Sequence, residues 1–185
     1  MVPGIAVLVL VAFLVGQRFA SGNSGSGTSE SAAPFAGGMK APDISSMSPE
    51  ERASRLFDRV MRYGDEGKTD SLRLFAPMAI EAYDMLGPPD SHTRYDVGMI
   101  GIVSGDVGLA RAEADTILAA NKSHLLGLIL AMKAAGLRND MAARSEYQKR
   151  FKTAAPSEIA KKLKEYSEHK ADIDAALATA GDGKP

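Results

Sequence analysis

The sequence predicts an all-α protein: one N-terminal transmembrane helix, then a solenoid of about three helical hairpins plus a C-terminal capping helix. Three observations support this prediction. The first 16 residues carry no charged side chain, the apolar residues after Met47 recur at helical spacing, and a helix pair repeats after 33 residues. We therefore predict a membrane anchor at 1–20, a tether at 21–46, a helical domain at 47–180 and a flexible tail at 181–185.

The composition of the 185-residue chain excludes several classes of protein. Its 22 Lys and Arg residues nearly balance its 23 Asp and Glu residues, which gives a net charge of −1. Nucleic-acid-binding proteins normally carry a basic surplus, so we expect no nucleic-acid partner. The chain has no cysteine, which excludes disulfides, thiolate metal sites and cysteine nucleophiles.

The apolar leader is the predicted contact with the lipid bilayer. As a helix, its uncharged stretch would span about 24 Å, which is short of the roughly 30 Å of a bilayer core. Snorkelling of Arg18 and burial of Phe19 and Ala20 would lengthen the span. A cleaved signal peptide is one alternative, because Ala20-Ser21-Gly22 offers a small-residue cleavage site, and a buried hydrophobic segment is another. Signal peptides normally begin with a basic segment, however, and this leader has none.

The predicted tether at 21–46 separates the leader from the helical domain. Its first part is rich in Gly and Ser and cannot bury enough apolar surface to fold by itself. Residues 19–39 contain no Lys or Arg, whereas the cytoplasmic flanks of membrane spans tend to be basic. This flank favours a single-pass protein whose helical domain is periplasmic or otherwise extracytoplasmic.

Start and stop signals divide the helical domain into seven predicted helices. Ser48 can cap the first helix, with Pro49 at its first position and Glu51 completing a capping box. Gly87-Pro88-Pro89 ends the second helix, and Pro156 is the predicted start of the seventh. The predicted bounds are about 49–64, 69–86, 91–104, 107–120, 124–137, 140–153 and 156–180.

Two of the predicted hairpins resemble each other in sequence. A shift of 33 residues aligns Ala110-Arg111-Ala112-Glu113 with Ala143-Arg144-Ser145-Glu146. The same shift aligns Val97-Gly98-Met99 with Leu130-Ala131-Met132. A period of about 33 to 34 residues built from helix pairs is typical of helical repeat arrays. Because one hairpin cannot bury its apolar face alone, neighbouring hairpins must stack.

The segment 91–124 resembles a tetratricopeptide repeat (TPR). Val97-Gly98 is similar to the Leu-Gly pair in the first helix of that family, and Ala110 to the small residue at the helix crossing. The sequence departs from the family where Gly101 replaces a large aromatic residue and Lys122 replaces proline. The resemblance implies a TPR-like solenoid in which the first helices of the hairpins line a concave surface.

The resemblance places a candidate partner-binding groove on the first helices of the two repeats. The predicted groove residues are Tyr95, Met99, Ile102, Leu128 and Met132. Their apolar, methionine-bearing character suits an amphipathic or apolar helix of a partner protein. A continuous apolar face fits a buried core equally well, in which case the capping helix covers it.

The predicted seventh helix has the features of a solenoid cap. One face carries an apolar stripe, and most of the lysines and glutamates lie outside it. The stripe consists of Ile159, Leu163, Tyr166, Ile173 and Leu177. The end of a solenoid needs such a polar outer face for solubility.

No catalytic, cofactor or metal site can be assembled from spacing in the sequence. The chain has three histidines, His92, His124 and His169, and we identify no second ligand at zinc spacing beside any of them. Gly67-Lys68-Thr69 lacks the earlier glycine of a phosphate-binding loop. We therefore predict that the protein is not an enzyme and binds no cofactor and no metal.

These features predict a non-enzymatic, membrane-anchored protein-interaction module. It would be a scaffold or accessory structural subunit of a larger membrane protein complex, with a respiratory or photosynthetic complex as one candidate. Its partners would be other subunits of that complex or their helices, and the lipid bilayer through residues 1–20. A transient assembly factor or chaperone adaptor is one alternative. A secreted periplasmic binding protein is the other, if the leader is cleaved.

Overall fold

Eight helices make up the part of the protein that the structure describes. The computed structural model describes residues 47–181, and every element of regular structure in this range is an α-helix. The all-α prediction is confirmed for these residues. The helices are α1 (Pro49–Asp65), α2 (Thr69–Asp84), α3 (Ser91–Ser104), α4 (Val107–Ala120), α5 (Leu125–Leu137), α6 (Met141–Ile159), α7 (Lys164–Glu168) and α8 (Lys170–Gly181).

The predicted anchor and tether lie outside the described residues. The same holds for 182–185 of the predicted tail, whereas Gly181 is the last residue of α8. Between residues 47 and 181, no helix combines the length and the apolar character that a bilayer crossing requires.

Side-chain caps define the starts of four helices. The Ser48 hydroxyl accepts a hydrogen bond from the backbone N–H of Glu51 at 3.1 Å, and Pro49 occupies the first turn of α1. The predicted start of α1 is thus confirmed. Three aspartates cap later helices in the same way: Asp90 for α3, Asp106 for α4 and Asp140 for α6. Each cap satisfies a backbone donor that has no acceptor within its own helix.

The predicted helix start at Pro156 is wrong. Helix α6 continues through Pro156 to Ile159, and the chain turns only afterwards, where Lys162 has a φ of 53°. A proline inside a helix removes one backbone donor, here the partner of the Lys152 carbonyl. Lys152 is exposed, so water can replace that hydrogen bond. The predicted single capping helix is therefore two helices, α7 and α8.

This division also breaks the predicted apolar stripe. Tyr166 of α7 and Ile173 of α8 are buried, whereas Ile159 and Leu177 are exposed. Leu163, just before α7, is partly buried against the core. One straight helix would align all five side chains on a single face, and the interruption at Lys162 and His169 removes that alignment.

The helices pack as three consecutive hairpins with α8 added at the end. The hairpins are α1–α2, α3–α4 and α5–α6, and their first helices also pack side by side, α1 on α3 and α3 on α5. Helix α8 packs on α5 and α6. One core cluster joins α3–α6 with Tyr166 and Ile173, and a second joins α1, α2 and α3. Helix α3 thus links the first hairpin to the rest of the domain.

Small residues allow α3 to approach α4 closely. A Cβ atom at Gly101 would lie 2.8 Å from the Asp106 carbonyl oxygen and 3.0 Å from the Ala110 backbone nitrogen. Ala110 itself has no exposed surface. A larger residue at either position would separate the two helices, since protein interiors are close-packed.

Candidate functional site

The predicted groove residues lie on α3 and α5, within or against the larger core cluster. Tyr95 and Leu128 have no exposed surface, and Met99 is nearly as buried. Ile102 and Met132 are partly buried and pack against the same cluster. The partner-binding role of this face stays a prediction, and Tyr95, Met99 and Leu128 are core residues in the structure.

Helix α8 occupies space beside the predicted groove and leaves a cavity of about 420 Å³. Ile102 and Met132 line this cavity together with polar residues of α6 and α8. The Gln148 side-chain nitrogen donates a hydrogen bond to the Thr179 carbonyl at 3.2 Å, which ties α6 to α8. The C-terminal helix thus partly covers the face of α3 and α5 that carries Ile102 and Met132.

A cluster of ionisable side chains forms where α3 meets the junction of α7 and α8. His92 and Asp96 lie one turn apart on α3, and His169 separates α7 from α8. His169 Nε2 is 3.0 Å from His92 Nδ1 and 3.5 Å from Asp96 Oδ1. His92 Nε2 is 3.5 Å from Asp96 Oδ2. We call these three residues the His–Asp cluster.

Asp96 is the buried carboxylate of the His–Asp cluster, with only 4 % of its surface exposed. The Tyr83 hydroxyl donates a hydrogen bond of 2.6 Å to Asp96 Oδ2. Asp96 Oδ1 is buried and has no hydrogen-bond partner within residues 47–181. Burial raises the pKa of Asp96, and this effect outweighs the hydrogen bond from Tyr83 and the attraction of the two histidines.

The histidines of the cluster are surrounded by further carboxylates. Glu168 Oε2 lies 3.5 Å from His92 Nδ1, and Asp172 Oδ2 lies 3.9 Å from His169 Nδ1. Burial lowers the pKa of His169 despite the attraction of Asp96 and Asp172. His92, Asp96 and His169 each offer one possible ligand atom for a metal ion, and these three atoms all lie within 4.8 Å of one another.

The sequence interpretation missed the His–Asp cluster. His92 and Asp96 stand four residues apart on one helix face, and this spacing is the signal that could have paired them. His169 is 77 residues from His92, and their contact depends on how α7 and α8 fold back. No spacing rule predicts such a contact, so the sequence pattern gives the histidines no partner. The expectation of no metal stays untested.

His124 belongs to a second buried cluster, at the start of α5. Its Nε2 atom lies 3.4 Å from Glu165 Oε1, and its ring packs edge-on against Tyr166. The Tyr166 hydroxyl accepts a hydrogen bond from the Leu125 backbone N–H at 3.1 Å and donates one to Glu158 Oε2 at 2.9 Å. These bonds join α5, α6 and α7.

Acid is expected to destabilise the protein through His124. Burial lowers the pKa of His124 from its ordinary value of 6.5, and the nearby Glu165 and Glu158 only partly oppose this. The imidazole of His124 therefore binds a proton in the unfolded chain at a pH where it stays neutral in the folded chain. The stability that the protein has while His124 is neutral is present above about pH 6.5, and it is lost as the pH falls through the pKa of His124 in the folded protein.

Urea unfolding at about pH 7.5 and about pH 5.5 tests this expectation. The free energy of unfolding of the wild type should fall between these two pH values, and that of His124→Gln should fall less. Some pH dependence will persist in the variant, because burial shifts the pKa of His169 in the same direction. An equal fall in both proteins would contradict the role of His124.

An apolar groove with an arginine rim lies on the first hairpin. Its volume is about 390 Å³, and Leu56, Phe75 and Met78 form its apolar floor. The rim consists of Arg52, Arg55, Arg59 and Arg62, whose spacing puts them along one face of α1. Asp58 is the acidic residue of the lining, so the groove carries a net positive charge. We call this surface the α1–α2 groove.

The α1–α2 groove continues into exposed apolar surface on α2. Leu74, Met78 and Met85 are 61 %, 45 % and 73 % exposed. Leu74 and Met78 lie on one side of α2, and Met85 follows directly after the last residue of that helix. Met78 and Met85 also line a second, adjoining cavity of about 250 Å³. The Arg59 guanidinium stacks over the Phe75 ring at 5.0 Å, which holds this arginine at the edge of the groove.

Two sites therefore stand out among residues 47–181: the buried His–Asp cluster and the open α1–α2 groove. The first combines imidazoles with a buried carboxylate, and the second combines apolar surface with positive charge. A scan against protein-family models, a search of curated proteins and a search of solved structures each found no match to this chain.

Proposed function

We propose that this protein is a non-enzymatic protein-interaction module, built as a TPR-like solenoid and anchored in a membrane by residues 1–20. In this proposal it is a single-pass scaffold or accessory subunit of a membrane protein complex, with its helical domain on the extracytoplasmic side. The exposed α1–α2 groove is the observation that carries the proposal. Contiguous exposed apolar surface with a polar rim commonly marks an interaction site.

The helix packing supports a solenoid of repeats. The first helices of the three hairpins pack side by side, as stacked helical repeats do. At the crossing of α3 and α4, the contact between Gly101 and Ala110 has the close approach that small residues permit. In such an array α1 and α2 form the first hairpin of the described range, and no earlier hairpin of that range covers the groove.

The chemistry of the α1–α2 groove favours an acidic amphipathic helix as its ligand. Methionine side chains such as Met78 and Met85 adapt to the shape of an apolar partner. Guanidinium groups bind carboxylates through paired hydrogen bonds, so the arginine rim suits Glu and Asp side chains beside an apolar stripe. An amphipathic helix in an apolar groove is a recurrent mode of recognition. A helix of a neighbouring complex subunit fits this description.

A pair of designed peptides tests the proposal. Both share one apolar face and extend for about three helical turns, and one carries glutamates where the other carries lysines. Binding to the detergent-solubilised full chain is measured by fluorescence anisotropy. We expect the acidic peptide to bind, and the variant Arg55→Glu/Arg59→Glu to weaken this binding by at least about tenfold.

The matched control reverses two exposed charges on another helix, Lys149→Glu/Lys152→Glu on α6. It should leave peptide binding unchanged. Equal binding of the acidic and basic peptides would contradict the proposal. An equal loss of peptide affinity in the two charge-reversal variants would contradict it as well. Purification of the full chain from native membranes in mild detergent gives a second readout. Co-migration with other proteins at fixed stoichiometry is expected, and a lone small species would contradict a structural subunit.

A further inference from the structure

We propose that His92, Asp96 and His169 bind one divalent transition-metal ion of the Zn²⁺ class, which fastens the C-terminal helices to α3. This inference is independent of the proposed interaction function. It rests on the donor set, the distances between the ligand atoms and the unpartnered buried oxygen of Asp96.

Two distances within the His–Asp cluster are close to those between ligands of one metal ion. Zn²⁺ binds histidine nitrogen and carboxylate oxygen at about 2.0 to 2.2 Å in tetrahedral geometry, so neighbouring ligand atoms lie roughly 3.3 to 3.5 Å apart. The nitrogens of His169 and His92 are 3.0 Å apart, and His169 Nε2 is 3.5 Å from Asp96 Oδ1. The three candidate ligand atoms all lie within 4.8 Å of one another, so side-chain rotations that close the His92–Asp96 pair would complete the site.

Asp96 supplies the second, independent observation. A buried carboxylate oxygen without a hydrogen-bond donor is costly, because desolvation of the charge is not repaid by an interaction. Asp96 Oδ1 is such an atom, and it faces His169 across 3.5 Å. A bound cation at this point would satisfy it. The Tyr83 hydroxyl holds the other oxygen, Oδ2, and so fixes the orientation of the carboxylate, as outer hydrogen bonds do in metal sites.

The donor types select the class of metal ion. Two imidazole nitrogens and one carboxylate suit Zn²⁺, Co²⁺, Ni²⁺ or Cu²⁺, whereas Mg²⁺ and Ca²⁺ prefer oxygen ligands alone. His92 is about one-third exposed, which gives an ion access from solvent. Glu168, 3.5 Å from the His92 ring, is the nearest further carboxylate, and water can complete the coordination.

The same geometry also fits a hydrogen bond between the two imidazoles without metal. In that case the His92–His169 contact of 3.0 Å is a proton shared between rings, and added metal has no site. The two arrangements differ in one measurable property. Only the metal-binding arrangement takes up one metal ion per chain.

The test is isothermal titration of the detergent-solubilised, metal-stripped full chain with ZnCl₂, using an affinity tag without histidine. The chain contains no cysteine and three histidines, so few other sites compete for the ion. We expect one Zn²⁺ per chain and a rise in the thermal unfolding midpoint with Zn²⁺. Co²⁺ should give the visible absorption of a low-coordinate nitrogen and oxygen site, and MgCl₂ should not bind.

Single substitutions distinguish Zn²⁺ binding at the His–Asp cluster from Zn²⁺ binding elsewhere on the chain. His169→Gln and Asp96→Asn should each weaken Zn²⁺ binding by at least about tenfold. His124→Gln is the matched control, since His124 is also buried and lies beside a carboxylate, and it should bind Zn²⁺ like the wild type.

Circular dichroism checks that each variant is folded, and His92→Gln replaces any variant that is not. No stoichiometric Zn²⁺ binding by the wild type would overturn the proposal. Equal losses in His169→Gln and His124→Gln would overturn it as well. Neither result would bear on the α1–α2 groove, which shares no residue with the cluster.

Discussion

Replacement of Phe151 by alanine is expected to lower the free energy of unfolding by about 3 to 5 kcal/mol. Phe151 lies on α6, has no exposed surface and belongs to the core cluster that joins α3–α6 with Tyr166 and Ile173. Its removal leaves a cavity, which the surrounding helices can close only by losing their own contacts. Since small domains are stable by about 5 to 15 kcal/mol, this loss is a large fraction of the total.

Urea unfolding followed by circular dichroism measures this loss. Met141→Ala on the same helix is the control, because Met141 is 61 % exposed. Surface substitutions away from special features change stability by less than about 0.5 kcal/mol. A Phe151→Ala variant as stable as Met141→Ala would mean that α6 does not pack on the core as described.

Two glycine substitutions are expected to act in opposite directions. At Gly101, an added Cβ would lie 2.8 Å from the Asp106 carbonyl oxygen, a backbone atom that moves only if α4 moves. Overpacking of this kind costs about 1 to 3 kcal/mol, while the better helix propensity of alanine returns up to about 1 kcal/mol. We therefore expect Gly101→Ala to be a net loss of stability.

Gly136→Ala is the matched variant on α5. The nearest atom to an added Cβ there is Arg144 Cδ at 3.8 Å, an ordinary contact, so only the gain in helix propensity remains. Thermal unfolding should give a midpoint below that of the wild type for Gly101→Ala and a midpoint above it for Gly136→Ala. A Gly101→Ala variant more stable than the wild type would contradict the close approach of α3 and α4.

Local signals predicted the helices well. The bounds of α3 and α4 agree with the predicted 91–104 and 107–120, because Asp90, Gly105 and Asp106 act within one turn of the helix ends. Pro156 failed as a start signal, because the lost hydrogen bond lies at an exposed turn where water can replace it. Whether a proline ends a helix depends on whether water can reach the carbonyl that loses its donor. The sequence pattern does not show this exposure.

The candidate sites depended on contacts that spacing cannot supply. The apolar face that includes Tyr95 and Leu128 was recognised from the sequence. Whether this face is an open groove or part of the core depends on the position of α8, which spacing in the sequence does not specify. The His–Asp cluster was missed for the same reason, since His169 reaches His92 only after α7 and α8 return to α3. The α1–α2 groove was not predicted, because arginines at helical spacing also fit an ordinary solvated helix face, and only the packing of α2 on α1 shows the apolar floor between them.

The separation of 77 residues between His92 and His169 also has a consequence for the order of folding. Contacts between neighbouring helices close short loops and form quickly, whereas distant contacts form later. The hairpins can therefore assemble before α7 and α8 return to α3. During that interval Tyr95 and the apolar face around it lack their C-terminal cover. A chaperone present at this stage would meet a surface that the finished protein no longer offers.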